Sequence, residues 1–335
     1  MASITEIPRI TQPIALRRLP DPDYVHHPAY GLLFGRPKAS ARIRALARLW
    51  PFLRAQIPLA GQRNPSPRGT SGRGGPLYER VLRDGAVSVR LTVDEITTLR
   101  ELVRPLIRTL QEKKAGVAPE TRVFKDMILP LSTKNAPEFI NSLRAALDRH
   151  GVLTAASDYL GAPVVMRDSL KLQITDRDDA PWHSHFSDVG LPDPATSYMH
   201  IDSEVRFMKG MLYLNEVTPS NGPFAYVLGS HAVRLSAFEY MVRKANDKSG
   251  LDLCDAATRE LFWALPRFLR KKSEFGNDLL DASPEAAALI AHEHRFTTED
   301  GHFVLFDNNG AHRGMHVVEG ERHAVQIQLR PEGVG

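Results

Sequence analysis

Residues that bind metal ions recur in this 335-residue sequence at an informative spacing. His200 and Asp202 stand two positions apart, and His312 follows far downstream. Because side chains alternate between the two faces of a β-strand, His200 and Asp202 would share one face of a strand. Two imidazoles and one carboxylate form a facial set that binds Fe(II) and leaves coordination positions open. The spacing therefore predicts an iron site with room for a co-substrate and O₂.

An arginine follows the second histidine at a distance that a returning strand can span. Arg322 lies 10 residues beyond His312. The planar guanidinium fork of an arginine matches a carboxylate bidentately. Arg322 is therefore predicted to hold the far carboxylate of a co-substrate, and Arg330 is the alternative anchor.

The segments around these residues alternate between apolar strands and turns. After Asp202 the chain reads LYLNEVTPSNGPFAYVLGSH, in which Pro219 and Asn221-Gly222 form the turn between two strands. Around His312 it reads DGHFVLFDNNGAHRG, a turn, an apolar strand and a polar loop that delivers the histidine. Both segments predict strands that end at the metal site.

These motifs, with "HID" at 200–202 and Arg322, resemble the phytanoyl-CoA dioxygenase-like family of Fe(II)/2-oxoglutarate-dependent oxygenases. The resemblance covers residues 77–331. It implies a mainly β core with α additions, namely a double-stranded β-helix (jelly-roll, cupin-like) flanked by helices. It also implies Fe(II), 2-oxoglutarate as co-substrate, and hydroxylation of a small molecule by O₂. Related halogenases carry a small residue where this chain has Asp202, so the resemblance favours hydroxylation.

The resemblance implies His200, Asp202 and His312 as catalytic metal ligands and Arg322 as the co-substrate anchor. Family members often supply a hydroxyl just after the distal histidine, whereas this chain has Arg313, Gly314 and Met315 there. A second partner for the co-substrate must then come from other strands. The candidates are Lys171, Gln173 and Tyr213.

Other histidines compete for the metal. His183 and His185 also have strand spacing, but they bring no carboxylate, and they are assigned instead to substrate contact or to a surface loop. His316 lies four residues after His312 and fits the spacing to Arg322 less well. His231 and His302 are expected to be structural.

Charge is distributed unevenly along the chain. Residues 1–83 hold 14 Lys/Arg and 4 Asp/Glu, a net charge of +10, while the remainder holds 29 and 35, a net charge of −6. The basic character therefore belongs to the N-terminal part, which argues against a catalytic domain that binds nucleic acid. Cys254 is the one cysteine, so the fold uses no intramolecular disulfide. With no apolar run of membrane-spanning length and no secretory signal, a cytoplasmic enzyme is expected.

Residues 1–76 are predicted to form a basic extension with a Gly/Pro/Ser/Arg linker at 61–76. Within it, 38–50 is expected to be helical and to end or kink at Pro51. Its apolar face would consist of Ile43, Leu46, Leu49, Trp50 and Leu53. Two alternatives remain open for residues 38–54: peripheral contact with the inner face of an anionic membrane, or docking on the protein itself.

The oxygenase domain is predicted to span residues 77–335. Thr92 and Glu95 form a capping box that opens a helix, and 169–175 alternates as a strand. Residues 232–294 are predicted to be a helical, lid-like insertion whose basic side chains suit an anionic substrate. A non-catalytic protein of the same fold, targeted by its basic N-terminus, is the second hypothesis.

Overall fold

The computed structural model describes residues 38–57, 75–119, 122, 124–178, 207–232 and 291–333, and parts of 238–270. The helices in these ranges are α1 (Ala39–Gln56), α2 (Pro76–Asp84), α3 (Val93–Ala115), α4 (Pro137–Arg149), α5 (Val152–Leu160) and α6 (Arg267–Arg270). None of them is long and apolar enough to cross a bilayer.

The strands of the described chain build two antiparallel sheets. They are β1 (Ala86–Val89), β2 (Ile128–Leu131), β3 (Val164–Met166), β4 (Leu170–Asp176), β5 (Met208–Tyr213), β6 (Phe224–Val227), β7 (Glu293–Phe296), β8 (Phe303–Asp307), β9 (His312–Gly314) and β10 (Glu321–Pro331). The larger sheet has the order β1-β8-β5-β10-β4-β2, with β3 also paired to β10, and the smaller sheet has the order β7-β6-β9.

The larger sheet has one face for the helices and one for the smaller sheet. Leu172, Leu212 and Val325 are neighbours in register and belong to the cluster that also contains the buried faces of α3, α4 and α5. On the opposite face, Tyr213 and Ala324 pack with Phe224 and Tyr226 of the smaller sheet. The chain passes from the larger sheet (β5) to the smaller (β6, β7), back to β8, again to β9, and back to β10. This antiparallel order is that of a double-stranded β-helix flanked by helices, as predicted.

The capping box at the start of α3 is confirmed. The Thr92 side chain accepts from the Glu95 backbone N–H, and the Glu95 carboxylate accepts from the Thr92 N–H at 2.8 Å. Glu95 also contacts Arg149 and His150 of the following helical segment, each at 2.7 Å. Burial raises the pKa of Glu95, but the hydrogen bonds from Thr92, His150 and Arg149 outweigh it and lower the pKa to about 2. Glu95 thus joins α3 to α4 in its ionised form.

Helix α1 docks on the protein by its small side chains. It continues past Pro51 to Gln56, and it buries the small side chains Ala41 and Ala45 together with Leu49. These pack against Val242, Ala245, Phe262, Ala264, Leu265 and Leu269. Of the predicted apolar face, Leu49 is buried, whereas Ile43, Leu46 and Trp50 are exposed. Most of the predicted insertion at 232–294 lies outside the described residues, and α6 is helical within it.

Candidate functional site

Arg322 is a buried cation on β10, on the sheet face that looks toward the smaller sheet. Its side chain donates from Nη1 to the Gly222 carbonyl and from Nη2 to Thr175 Oγ1 at 3.4 Å. Its Nε is buried and has no hydrogen-bond partner among the described residues. No described carboxylate forms an ion pair with it. A charge that is 3% exposed and has no counter-ion among the described residues is costly to bury, so this position suits an anionic ligand.

The pKa values of Arg322 and Tyr213 fit a site that binds an anion. Burial lowers the pKa of the Arg322 guanidinium, and the nearby Tyr213 partly opposes that shift. Burial raises the pKa of Tyr213 to about 12, so the phenol is neutral at physiological pH. Its Oη accepts from the Phe224 backbone N–H at 2.6 Å. Since a hydroxyl accepting this bond still carries its own proton, Tyr213 keeps a donor beside Arg322.

Gly314 keeps one side of the guanidinium open. A β-carbon at this position of β9 would lie 3.5 Å from Arg322 Nη1 and 3.6 Å from Nη2. A methyl group would fit at these distances, but a longer side chain would lie against the guanidinium. The glycine of the His-Arg-Gly sequence therefore leaves at least the volume of a methyl group beside the Arg322 guanidinium.

His312 begins β9 and is nearly fully buried. Its Nδ1 lies 2.8 Å from the Gly310 carbonyl oxygen, which can only accept a hydrogen bond. The proton of the neutral ring is therefore on Nδ1, and the lone pair is on Nε2. A backbone carbonyl that fixes the tautomer is the usual arrangement for a metal-bound histidine. The ring stacks on Tyr226, with 17° between the planes and centroids 6.3 Å apart.

The loop 307–311 holds the carbonyl to which His312 donates. Tyr226 Oη donates to the Asp307 carbonyl at 2.8 Å, and Tyr159 Oη of α5 donates to the Asp307 carboxylate at 2.5 Å. The Ala311 N–H donates to Ser230 Oγ at 2.7 Å. The loop is thus fixed by the helical layer, the smaller sheet and the 3-10 turn Ser230–Ala232.

Gly310 has no room for a side chain. A β-carbon there would come 1.8 Å from Tyr226 Oη and 2.9 Å from Ser230 Oγ. The two hydroxyl side chains that fix the loop therefore require glycine at the position that accepts from His312.

The remaining predicted co-substrate contacts lie on β4 at increasing distance from Arg322. Register pairs Arg322 with Thr175, Ala324 with Gln173, and Gln326 with Lys171. Gln173 is half-buried and Lys171 is exposed, both on the same sheet face as Arg322. Sequence reasoning missed Thr175, which contacts the guanidinium directly. The alternation of 169–175 and the antiparallel pairing with the Arg322 strand could have identified it.

The proximal pair, His200 and Asp202, lies outside the described residues, as do His183 and His185. Within the described part of the chain no three His, Cys, Asp or Glu side chains converge on a metal site. The ligand roles of His200 and Asp202 therefore stay predictions.

The structure also describes His231 and His302, the other two histidines of the strand motifs. His231 Nε2 lies 3.0 Å from the Leu82 carbonyl oxygen. His302 lies just before β8, and burial lowers its pKa to about 4, so it is neutral at physiological pH. Its ring centroid is 5.6 Å from that of Tyr213.

No family model and no curated protein matches the sequence. Among solved structures the chain is similar to EctD from S. alaskensis with 2-oxoglutarate and 5-hydroxyectoine, with 18% identity, a TM-score of 0.45, and 80% of this chain and 82% of that chain covered. It is also similar to the epimerase SnoN in complex with Fe3+, alpha ketoglutarate and nogalamycin RO, with 14% identity, a TM-score of 0.42, and 77% and 86% covered. AviO1 from Streptomyces viridochromogenes Tue57 shows 15% identity, a TM-score of 0.40, and 77% and 95% covered.

Proposed function

We propose that the chain is a non-haem Fe(II)/2-oxoglutarate-dependent dioxygenase of the phytanoyl-CoA dioxygenase-like type. The observation that carries the proposal is the buried Arg322, which has no carboxylate partner in the described structure and which faces the gap at Gly314. Iron and 2-oxoglutarate are also the ligands named for SnoN, and 2-oxoglutarate for EctD, the solved proteins to which the chain is similar.

The residues of the described site fit these two ligands. Arg322 would hold the distal carboxylate of 2-oxoglutarate, and the hydroxyls of Thr175 and Tyr213 lie beside it. His312 offers Nε2 to a metal because Gly310 holds its Nδ1 proton. His200 and Asp202 would complete the ligand set, as their spacing predicts. Together these residues would orient the co-substrate between the guanidinium and the metal.

When bound, iron and 2-oxoglutarate would activate O₂: conversion of 2-oxoglutarate to succinate and CO₂ would supply two of the four electrons that reduce O₂, and the C–H bond of the substrate would supply the other two. The protein's contribution is to orient the reactants and to exclude water. The buried environment of Arg322 and Tyr213 strengthens the charge interaction with a carboxylate, since few solvent molecules screen it. We propose hydroxylation of a small molecule as the reaction and place no restriction on its scaffold.

The direct test is spectroscopic. Anaerobic addition of Fe(II) and 2-oxoglutarate should produce a weak visible charge-transfer band. In the Arg322→Gln variant, a much higher 2-oxoglutarate concentration should be required to produce this band. Arg330→Gln, on the same face of the same strand, tests the alternative anchor and should behave like the wild type. Absence of the band in the wild type, at concentrations where both ligands bind other members of the class, would favour the non-catalytic binding protein.

Turnover distinguishes the two hypotheses further. An oxygenase should release succinate from 2-oxoglutarate in the presence of O₂, slowly alone and faster with its substrate. A screen of small molecules for stimulated succinate release would then identify the substrate class. A protein that binds 2-oxoglutarate but never releases succinate would be a binding protein.

A further inference from the structure

We propose that α1 forms a surface that binds the headgroup region of an anionic membrane. The surface consists of the exposed apolar stripe of α1 and its exposed basic side chains. It is separate from the site around Arg322, and the proposal does not depend on the proposed reaction.

The apolar stripe of α1 remains exposed although the helix is docked. Ile43 is 67% exposed, Trp50 58%, Ile57 57% and Leu46 36%. At about 100° per residue these four positions fall within an arc of about 60° on the helix. The buried side chains, Ala41, Ala45 and Leu49, occupy a different arc. The helix is therefore anchored by its small side chains and presents its large ones outward.

Exposed apolar side chains are concentrated in this part of the molecule. Of the nine large apolar side chains that the described structure exposes, four lie on this one stripe. The four are Ile43, Leu46, Trp50 and Ile57. Single exposed apolar residues are common on soluble proteins, whereas a concentration of them indicates an interaction surface.

Phe238 and Phe268, in the segments that receive α1, also stack on one another and are exposed. Their ring centroids lie 6.4 Å apart with 26° between the planes, and the side chains are 43% and 58% exposed. Phe268 precedes Leu269, which is buried in the same cluster as Ala41 and Leu49. The aromatic pair is thus carried by the segments on which α1 rests.

The positive charge of the surface indicates an anionic partner. Residues 38–57 contain Lys38, Arg42, Arg44, Arg48 and Arg54 and no acidic residue. Arg48 donates to the Ser249 carbonyl at 2.7 Å and helps to dock the helix, while Lys38, Arg42, Arg44 and Arg54 are exposed. A second copy of the chain would bring like charges together on this face. An anionic lipid surface matches both the positive charge and the Trp and Ile side chains.

The test is co-sedimentation of the full-length protein with vesicles of phosphatidylcholine alone or mixed with phosphatidylserine, at low and high salt. We expect binding to the mixed vesicles that weakens at high salt. Arg42→Gln with Arg44→Gln should lower the partition coefficient by about fivefold for each arginine, the factor that corresponds to about 1 kcal/mol. Trp50→Ser with Ile43→Ser should lower it further and at both salt concentrations.

The matched control is Val93→Ser, because Val93 is 72% exposed on α3, outside the proposed surface. It should bind vesicles like the wild type. All variants are compared by thermal melting, and Trp50→Ser alone serves if the double variant does not fold. Vesicle binding that is equal in the Trp50 variant and the control would overturn the proposal. So would light scattering that shows a dimer in the wild type and a monomer in the Trp50 variant, since the stripe would then bind a second copy.

Discussion

Replacing Arg322 with methionine separates the cost of burying its charge from its use in binding a carboxylate. Methionine is apolar and unbranched, so it replaces the stem of the arginine and removes the charged end. Replacing even a buried ion pair with apolar side chains is often neutral or stabilising by about 1–4 kcal/mol, and a buried cation with no described partner is more costly still. Against this, the Gly222 carbonyl loses its donor, which costs about 1–3 kcal/mol. We therefore expect the free energy of unfolding of the ligand-free protein to change by no more than about 2 kcal/mol.

The response to 2-oxoglutarate should change far more. A ligand present at 100 times its dissociation constant stabilises the native state by about 2.7 kcal/mol. In a chain of this size that corresponds to a rise in melting temperature on the order of 5 °C. The wild type, loaded anaerobically with Fe(II), should show this rise on addition of 2-oxoglutarate, and Arg322→Met should not. Arg330→Met on the same strand tests the alternative anchor and should respond like the wild type.

Two results would refute this reasoning. If Arg322→Met keeps the full thermal shift with 2-oxoglutarate, the carboxylate is anchored by another residue. If Arg322→Met lowers the unfolding free energy of the ligand-free protein by about 3–5 kcal/mol, the guanidinium already has an anionic partner beyond the described residues, because that is the cost of breaking a buried ion pair.

Four further predictions concern single residues. Tyr226→Phe removes the hydroxyl that fixes the loop under His312 and should weaken Co(II) binding about 10–100-fold. Tyr78→Phe is the control, since it removes a buried hydroxyl that has no described partner, and Co(II) affinity should be unchanged. His312→Ala should abolish succinate release and reduce the bound iron, as measured by elemental analysis; undiminished release would move the metal site. Gly314→Leu should raise the KM for 2-oxoglutarate with little change in iron content, because the side chain would lie against the guanidinium. Glu95→Gln should lower the free energy of unfolding at pH values above about 4.5, the ordinary carboxyl pKa. In urea unfolding, the difference in that free energy between the variant and the wild type should vanish as the pH falls from about 4.5 to about 2, because the carboxylate of the folded wild type is protonated there.

The residues that sequence reasoning located in the described site are those with local signals. His312 follows one apolar strand and Arg322 lies at the start of another, both strands are visible in the sequence, and both residues are buried. Thr175, Tyr159 and Tyr226 were not identified. Each of them acts through a hydrogen bond to a residue far away in the sequence, at separations of 147, 148 and 81 positions respectively, and no local sequence pattern predicts such a pair.

The buried face of α1 could not be predicted from the sequence for a related reason. A hydrophobic pattern shows which side chains avoid water, and the large residues of α1 satisfy it best. Packing also depends on how closely two backbones approach, and small side chains such as Ala41 and Ala45 permit a closer approach. The choice between the two faces depends on the shape of the residues that receive the helix, which lie about 200 positions away.

The loop before His312 shows how the fold as a whole determines the orientation of one candidate ligand. Asp307 ends β8 in the larger sheet, Tyr159 belongs to α5 in the helical layer, and Tyr226 belongs to β6 in the smaller sheet. Their two hydrogen bonds meet on Asp307, and the same short loop presents the carbonyl that holds the His312 proton. If the helical layer or the smaller sheet moved relative to the larger sheet, these hydrogen bonds would therefore change the orientation of the His312 imidazole directly. This connection explains why the loop carries buried polar side chains, whose burial is costly unless every one is hydrogen-bonded.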